Sequence, residues 1–325
     1  MPSILARRTL LRRPPFAAGA LAAAVAVVLN PGARAQANFA ELGGRGLPQE
    51  SLEAQALVLG DVDGDGDLDL LVGGGYGVGA VRLHANDGAG IFTAAPFPSL
   101  PVDVVTGLVL GDLDGDGDLD LVVDCYQMGL PGQPNLLLSN DGAGRFHDAT
   151  QARLPASFDN TRALALGDVD GDGDLDLITG NRGWVGVGQQ NRLHLNDGTG
   201  TFTDATAGRM PVDFDKTSSV ALGDVDGDGD PDLVIGNSWQ QNRLYLNDGT
   251  GSFTDATAAR MPMDSENTTS VALGDVDGDG DLDLVIGNGG QNRLYLNDGS
   301  GTFTDVTATR MPTGGGGVAA GTSTW

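Results

Sequence analysis

Residues 273–288 read LGDVDGDGDLDLVIGN, with five aspartates on alternate positions of nine, between two apolar runs. At an effective dielectric near 20, two carboxylates a few Å apart repel by roughly 4 kcal/mol. The chain nevertheless builds this segment five times, starting at Asp61, Asp112, Asp168, Asp224 and Asp275, at spacings of 51, 56, 56 and 51 residues. Between the acidic segments a second block recurs, clearest as NRLYLNDGTGSFTDATAARMP at residues 242–262 and again at 191–211 and 292–312. Weaker copies occupy 81–95 and 135–155, and a half copy, NFAELGGRGLP, stands at 38–48.

Each period carries about four short strands. SVALG precedes the acidic loop and LDLVIG follows it, both apolar and bounded by glycine. RLYL and SFTDAT then flank Asn-Asp-Gly-x-Gly, the signature of a tight hairpin. No run with helical period is long enough to compete. Four strands per repeat with little connecting chain describe the blade of an all-β propeller. A lone blade cannot bury both faces, so the repeats must come as a set.

Alternating aspartates can converge on one hard cation. Calcium takes six to eight oxygens in flexible geometry, and glycine at position 6 allows the sharp bend. In the first loop the ligands are expected to be Asp61, Asp63, Asp65 and Asp69, with Gly66 at the bend. Asp67 would give its chain carbonyl and turn its side chain to water. Metal binding converts the repulsion into attraction and couples folding to the ion. Magnesium is the lesser alternative, because it demands a rigid octahedron. Position 12, where an EF-hand carries an acid, is Val72, Val123, Thr179, Ile235 or Ile286, and strands flank the loop.

These loops, in five copies about fifty residues apart over residues 38–312, resemble the FG-GAP/VCBS repeat of integrin α-subunit propellers and exported bacterial proteins. The resemblance implies ligands at Asp112, Asp114, Asp116 and Asp120, and at Asp168, Asp170, Asp172 and Asp176. It implies further sets at Asp224, Asp226, Asp228 and Asp232, and at Asp275, Asp277, Asp279 and Asp283. Chain-carbonyl contacts would fall at Asp118, Asp174, Asp230 and Asp281. Such propellers usually have about seven blades, and only five acidic loops are visible here. Either five blades close, with 38–48 pairing against the last repeat, or the ring is incomplete and its raw edge invites self-association.

The charge is local. The formal charge of −26 includes five leader arginines, Arg7, Arg8, Arg12, Arg13 and Arg34, so the mature chain carries −31. The five loops supply 25 of those negative charges, and Asp outnumbers Glu by 40 to 4, unlike a general acidic coat. Such a chain repels phosphates and is expected to bind no nucleic acid. Residues 1–35 read as an export signal: a basic start, an apolar run at 16–29 and Ala-Arg-Ala before a cut after Ala35, with Ala37 the other candidate. The Arg7-Arg8 pair leaves a twin-arginine route open beside the general one. The expected organisation is signal 1–35, propeller 36–313 and Gly-rich tail 314–325, in a secreted, periplasmic or surface protein with no membrane span after cleavage. Cys125 is the lone cysteine, so disulfides are not the staple. His84 and His194 occupy the strand slot of Tyr245 and Tyr295.

The strand after each acidic loop ends on the opposite rim, about 17–20 Å away. There the repeats diverge, and four connections carry an aromatic: Tyr76, Tyr126, Trp184 and Trp239. Variable loops on a fixed frame suit recognition of an extracellular protein or glycan. The plainer reading is that these rings pack over neighbouring blades. The expected function is a non-catalytic adhesion or recognition module. Two alternatives stand beside it: a polysaccharide lyase or glycosidase on a calcium-stabilised propeller, and a structural module of a surface assembly. Acid pairs repeated in one register do not make the unique asymmetric constellation that catalysis needs. Asp124, expected in a divergent, exposed loop, is the least poor catalytic candidate.

Overall fold

The computed structural model describes residues 54–74, 81–102, 104–126, 132–183 and 187–312. The expected signal at 1–35, the half copy at 38–48 and the expected tail at 314–325 lie outside them. The described chain forms five four-stranded antiparallel sheets, one per repeat, each with its strands in sequence order. The first contains β1 (Ala54–Gly60), β2 (Asp69–Gly74), β3 (Val81–Asn86) and β4 (Phe92–Ala95). The second contains β5 (Val104–Gly111), β6 (Asp120–Tyr126), β7 (Leu136–Asn140) and β8 (Phe146–Asp148), then the helical turn α1 (Thr150–Arg153). The third contains β9 (Thr161–Gly167), β10 (Asp176–Asn181), β11 (Arg192–Asn196), β12 (Phe202–Asp204) and α2 (Thr206–Arg209). The fourth contains β13 (Thr217–Gly223), β14 (Asp232–Asn237), β15 (Arg243–Asn247), β16 (Phe253–Asp255) and α3 (Thr257–Arg260). The fifth contains β17 (Thr268–Gly274), β18 (Asp283–Asn288), β19 (Arg293–Asn297), β20 (Phe303–Asp305) and α4 (Thr307–Arg310).

The first strands of successive sheets pack on one another, so β1, β5, β9, β13 and β17 are the inner strands of an arc. The core is divided among the seams. One apolar cluster joins blades 1 and 2 through Leu71, Leu83, Val105 and Phe146. Another joins 2 and 3 through Leu113, Val122, Leu177 and Phe202, and further clusters fill the 3–4 and 4–5 seams. Burial at each seam depends on the neighbour, as the repeat pattern requires.

The sheets do not close into a ring among the described residues. The residue after the first loop aspartate shows this edge directly. Val62, Leu113, Val169 and Val225 are at most 2% exposed under the next blade, whereas Val276 of blade 5 is 49% exposed. At the other end, Leu57 and Leu68 of blade 1 are also exposed.

One element differs from the sequence expectation. SFTDAT is not one strand: the strand stops at the aspartate, and the next residues coil into one helical turn in blades 2, 4 and 5, while in blade 3 Ala207 and Gly208 (φ +90°) depart from helical geometry within the same turn. The turn is fixed locally. Asp255 Oδ1 accepts the Thr257 N–H, and Thr257 Oγ1 accepts the Leu244 N–H from the neighbouring strand, at 2.9 and 3.0 Å. The same pair of bonds recurs at Thr150, Thr206 and Thr307.

Candidate metal loops and the opposite rim

The acidic loop folds around its first aspartate. In blade 4, Asp224 accepts the Gly227 and Gly229 N–H groups, one on each carboxylate oxygen, at 2.7 and 3.0 Å. Gly229, at position 6, has φ +96°, which L side chains rarely adopt, so the glycine there is a backbone requirement. The ninth position is equally constrained. Asp232 is fully buried and accepts the Val225 and Asn247 N–H groups at 3.0 and 2.9 Å. Every loop repeats this wiring.

The wiring brings carboxylates together. In loops 1, 3 and 4 the converging trios are Asp61, Asp63 and Asp69; Asp168, Asp170 and Asp176; and Asp224, Asp226 and Asp232, with oxygens within 4.8 Å of one another. In loops 2 and 5 the trios are Asp112, Asp114 and Asp116, and Asp275, Asp277 and Asp279. Positions 1 and 3 thus converge in every loop, joined by position 9 or position 5 from the expected set. Asp65, Asp120, Asp172, Asp228 and Asp283 stand in the same loops outside the trios. The cost of burying these acids is visible. Burial, with neighbouring carboxylates, pushes Asp120 and Asp232 up to about 6 and Asp176 up to about 7. The Oδ1 atoms of Asp114, Asp170 and Asp226 are buried without a hydrogen-bond partner. Carboxylate donors, converging oxygens and spare buried lone pairs fit a hard divalent cation.

Asp67 differs from the expectation that its side chain faces water, and the other position-7 aspartates share its placement. Asp67, Asp118, Asp174, Asp230 and Asp281 are half-buried, and each carboxylate leans over a hairpin glycine. A Cβ at Gly299 would lie 2.6 Å from Asp281 Oδ2, so this side chain closes over the Asn-Asp-Gly turn.

Two features anchor the loop, one across the seam and one within its own blade, and sequence reasoning found neither. The hairpin asparagine of each following blade reaches back: Asn140, Asn196, Asn247 and Asn297 donate through Nδ2 to Val62 O, Leu113 O, Val169 O and Val225 O at 2.7–2.8 Å. The helical-turn arginines reach the position-3 aspartate. Arg153 meets Asp114 at 2.8 Å, Arg260 meets Asp226 at 3.3 Å, Arg310 meets Asp277 at 3.1 Å, and Arg209 lies 4.0 Å from Asp170. Arg209 and Arg260 also donate to Thr250 O and Ser300 O on the following hairpin. The spacing of T-x-x-R from the loop, 33 to 39 residues, leaves no local signal.

On the opposite rim, Tyr76 and Trp184 lie outside the described residues, and of Tyr126 only the backbone, ending β6, is described. Trp239 is 72% exposed and is the one described non-glycine residue with positive φ, +59°. Its N–H donates to Glu266 O, tying this loop to the linker that enters blade 5. Those linkers expose large apolar groups that sequence reasoning passed over: Phe158, Phe214 and Met263. Their signal was an apolar residue between Pro and the next strand, as in MPVDFD at 210–215. The stems beneath are rigid: Arg243 pairs with Asp215 and Asp255, and Tyr245 Oη donates to Asp213 at 2.7 Å. His84 and His194 sit buried in the tyrosine slot, their pKa values lowered by desolvation.

Asp124 is not in an exposed loop. It belongs to β6, opposite Gly107 of β5, and is fully buried, with Thr106 Oγ1 donating to Oδ2 at 2.7 Å. The cause is a substitution in register: Gly73, Gly180, Gly236 and Gly287 fill this slot in the other blades. Burial pushes its carboxyl up to about 7.

The model of the FG-GAP-like repeat matches residues 23–123, 128–179, 184–235, 224–286 and 275–322. Cartilage acidic protein 1 of Homo sapiens is 31% identical over 198 residues, which is 54% of this chain and 28% of the relative. Its Mus musculus counterpart is 26% identical over 255 residues, 70% of this chain and 39% of the relative. The chain therefore spans well under half the length of these relatives. Among solved structures, an Agrocybe aegerita lectin that recognises non-reducing terminal N-acetylglucosamine is similar at TM-score 0.45 and 21% identity, over 77% of this chain and 65% of that one. The V. cholerae biofilm matrix protein Bap1 gives TM-score 0.45 and 15% identity, over 78% of this chain and 39% of that one. Among the described residues, no helix is long and apolar enough to cross a membrane.

Proposed function

The chain belongs to the FG-GAP-like repeat family, and from that premise we propose that it is an exported, calcium-stabilised recognition module with no catalysis of its own. The observation that carries this reading is the convergence of three carboxylates in each of five equivalent loops. Calcium held there would neutralise the trio and freeze the loop whose second carbonyl receives the next blade's asparagine. The ion would thereby set the seam as well as the turn. Aspartates at positions 1, 3, 5 and 9 would supply side-chain oxygens, and position 7 its carbonyl. The non-catalytic part rests on the sameness of the five acid sets and on the burial of Asp124 beneath Thr106.

The ligand face we assign to the rim away from the loops, where Trp239 and Phe214 stand exposed on rigid stems, and we extend the assignment from the sequence to Tyr76, Tyr126 and Trp184 in the corresponding variable connections. Rings held out in water on a fixed frame suit stacking on a sugar or gripping an extended peptide. The test is binding of the labelled mature chain to glycan and extracellular-protein arrays, with calcium and with chelator. Calcium-dependent binding that weakens at least tenfold in Trp239→Ala supports the reading. Binding indifferent to both changes, or release of reducing ends from a polysaccharide, contradicts it.

A further inference from the structure

Blade 1 breaks the pattern of the other four where the fourth strand leaves the sheet. In blades 2 to 5 the strand is followed by the helical turn and its arginine. In blade 1 the same positions read A-P-F-P-S-L-P at 95–101, which places Pro96 in the slot of Thr150 and Ser99 in the slot of Arg153. Two prolines remove N–H donors and push Ala95 and Phe97 out of the helical region, so this segment runs without a helical turn. Phe97 instead packs on Phe146 of blade 2, with ring centroids 5.3 Å apart.

The missing turn leaves space. A cavity of about 380 Å³ opens at the blade 1–2 seam, lined by Asp63 and Asp69 of the first metal loop, by Leu83, Ala95 and Pro96, and by Ala143, Gly144 and Arg145 of the blade 2 hairpin. The other seams show what belongs there. A Cβ at Gly200, Gly251 or Gly301 would lie 2.7–3.0 Å from the guanidinium of Arg153, Arg209 or Arg260. At Gly144, the equivalent glycine, the nearest atom is Asp63 Cβ at 3.5 Å. Among the described residues no cation pairs with Asp63, whereas its four counterparts, Asp114, Asp170, Asp226 and Asp277, each face an arginine. Asp63 Oδ1 accepts the Asp65 N–H, leaving Oδ2 for a further donor.

We propose that this seam pocket binds the arginine side chain of a polypeptide partner, its guanidinium taking the place of the arginine that blade 1 lacks. The guanidinium meets Asp63 Oδ2 and the Ala143 carbonyl, the counterparts of the Asp226 and Ser300 groups that hold Arg260. The aliphatic stem lies along Leu83, Ala95 and Pro96. A guanidinium suits this role better than an ammonium because its planar fork donates to a carboxylate and a carbonyl at once. Ion and arginine share the position-3 aspartate through different oxygens, as the free Oδ1 and bonded Oδ2 of Asp114 illustrate. Arg145 lines the same pocket, its side chain 76% exposed and 3.7 Å from Asp141 on its own hairpin.

Backbone-amide NMR of the calcium-loaded mature chain, titrated with N-acetyl-arginine methylamide, tests the assignment. Saturable shifts at Asp63, Ala143 and Gly144 are expected, at least tenfold weaker with the uncharged citrulline analogue. Free guanidinium ion is expected to bind several-fold more weakly, because it lacks the stem. The combined Ala94→Asp, Pro96→Thr, Pro98→Ala, Ser99→Arg variant supplies the capping aspartate, threonine and arginine of the other blades and is expected to abolish the shifts. Should that variant not fold, Ala95→Leu fills the cavity and is expected to weaken binding at least tenfold. Equal binding of citrulline or of bare guanidinium overturns the proposal, as does binding untouched by these variants. Binding that emerges only in Arg145→Ala also overturns it, by showing that the chain's own arginine fills the pocket.

Discussion

Replacing Asn247 with alanine isolates what holds one blade to the next. Asn247 Nδ2 donates to Val169 O across the seam at 2.8 Å and to Pro231 O within its own blade at 3.2 Å. The side chain is only 4% exposed, so water cannot replace it without opening the seam. Each lost bond costs about 1 kcal/mol net, and more where a buried carbonyl is left bare. The expected loss is about 3 kcal/mol, which for a domain of this size lowers the melting temperature by roughly 6–12 °C. Asn86 provides the internal control. It occupies the same hairpin slot in blade 1, which has no described blade before it, and donates to Leu68 O at 3.1 Å beside a half-exposed Leu68. Asn86→Ala is expected to cost under about 1 kcal/mol. Urea unfolding at saturating calcium, followed by circular dichroism, measures both. Equal losses for the two variants would refute the argument that these asparagines act across the seam.

Asp124 predicts a pH dependence. Its folded pKa, about 7, stands above the ordinary 3.8, so the unfolded chain ionises first as pH rises. Stability is therefore lost between about pH 4 and pH 7 and stays lost above, by up to about 4 kcal/mol from this group. Asp124→Asn keeps an acceptor for Thr106, and relative to wild type it should gain stability steadily across that window in calcium-saturated melts; parallel profiles would contradict this. At the open edge, Val225→Ala should cost about 2 kcal/mol and Val276→Ala under about 0.5, because the same repeat position is covered in one blade and bare in the other. Equal costs in denaturant titrations would mean the fifth blade is covered after all. Asp224→Ala removes one converging carboxylate and the acceptor of two loop amides, and calorimetry should count one calcium fewer than in wild type. An unchanged count would remove that loop from the metal sites.

The repeat was legible because period, charge and turn residues all pointed to one unit, with alternating aspartates, β-branched flanks and Asn-Asp-Gly recurring in register. The acid trios followed from the same spacing. What the sequence concealed lies between segments far apart in the chain, some within one repeat and some across two. The arginine of T-x-x-R acts on an aspartate more than thirty residues away, and a four-residue turn is too short to show a helical period. The hairpin asparagines read as turn formers, which they are, and their reach into the previous blade appears only once the blades are stacked. Asp124 looked like a loop acid because a charged residue contradicts a strand interior. The register shows that it replaces a glycine there. The prolines of blade 1 could be read as breakers, but what they displaced, an arginine and the volume it filled, needed the other seams for comparison.

The central claim is that divalent ions hold five equivalent turns together and, through them, the stacked blades. Its most direct test is the thermal melt of the purified chain, chelator-stripped and then titrated with calcium. At calcium about a hundredfold above its dissociation constant, each occupied site adds about 2.7 kcal/mol. The account predicts a rise of tens of degrees that saturates with about five ions bound. A stripped chain that melts at the same temperature with and without calcium would contradict it.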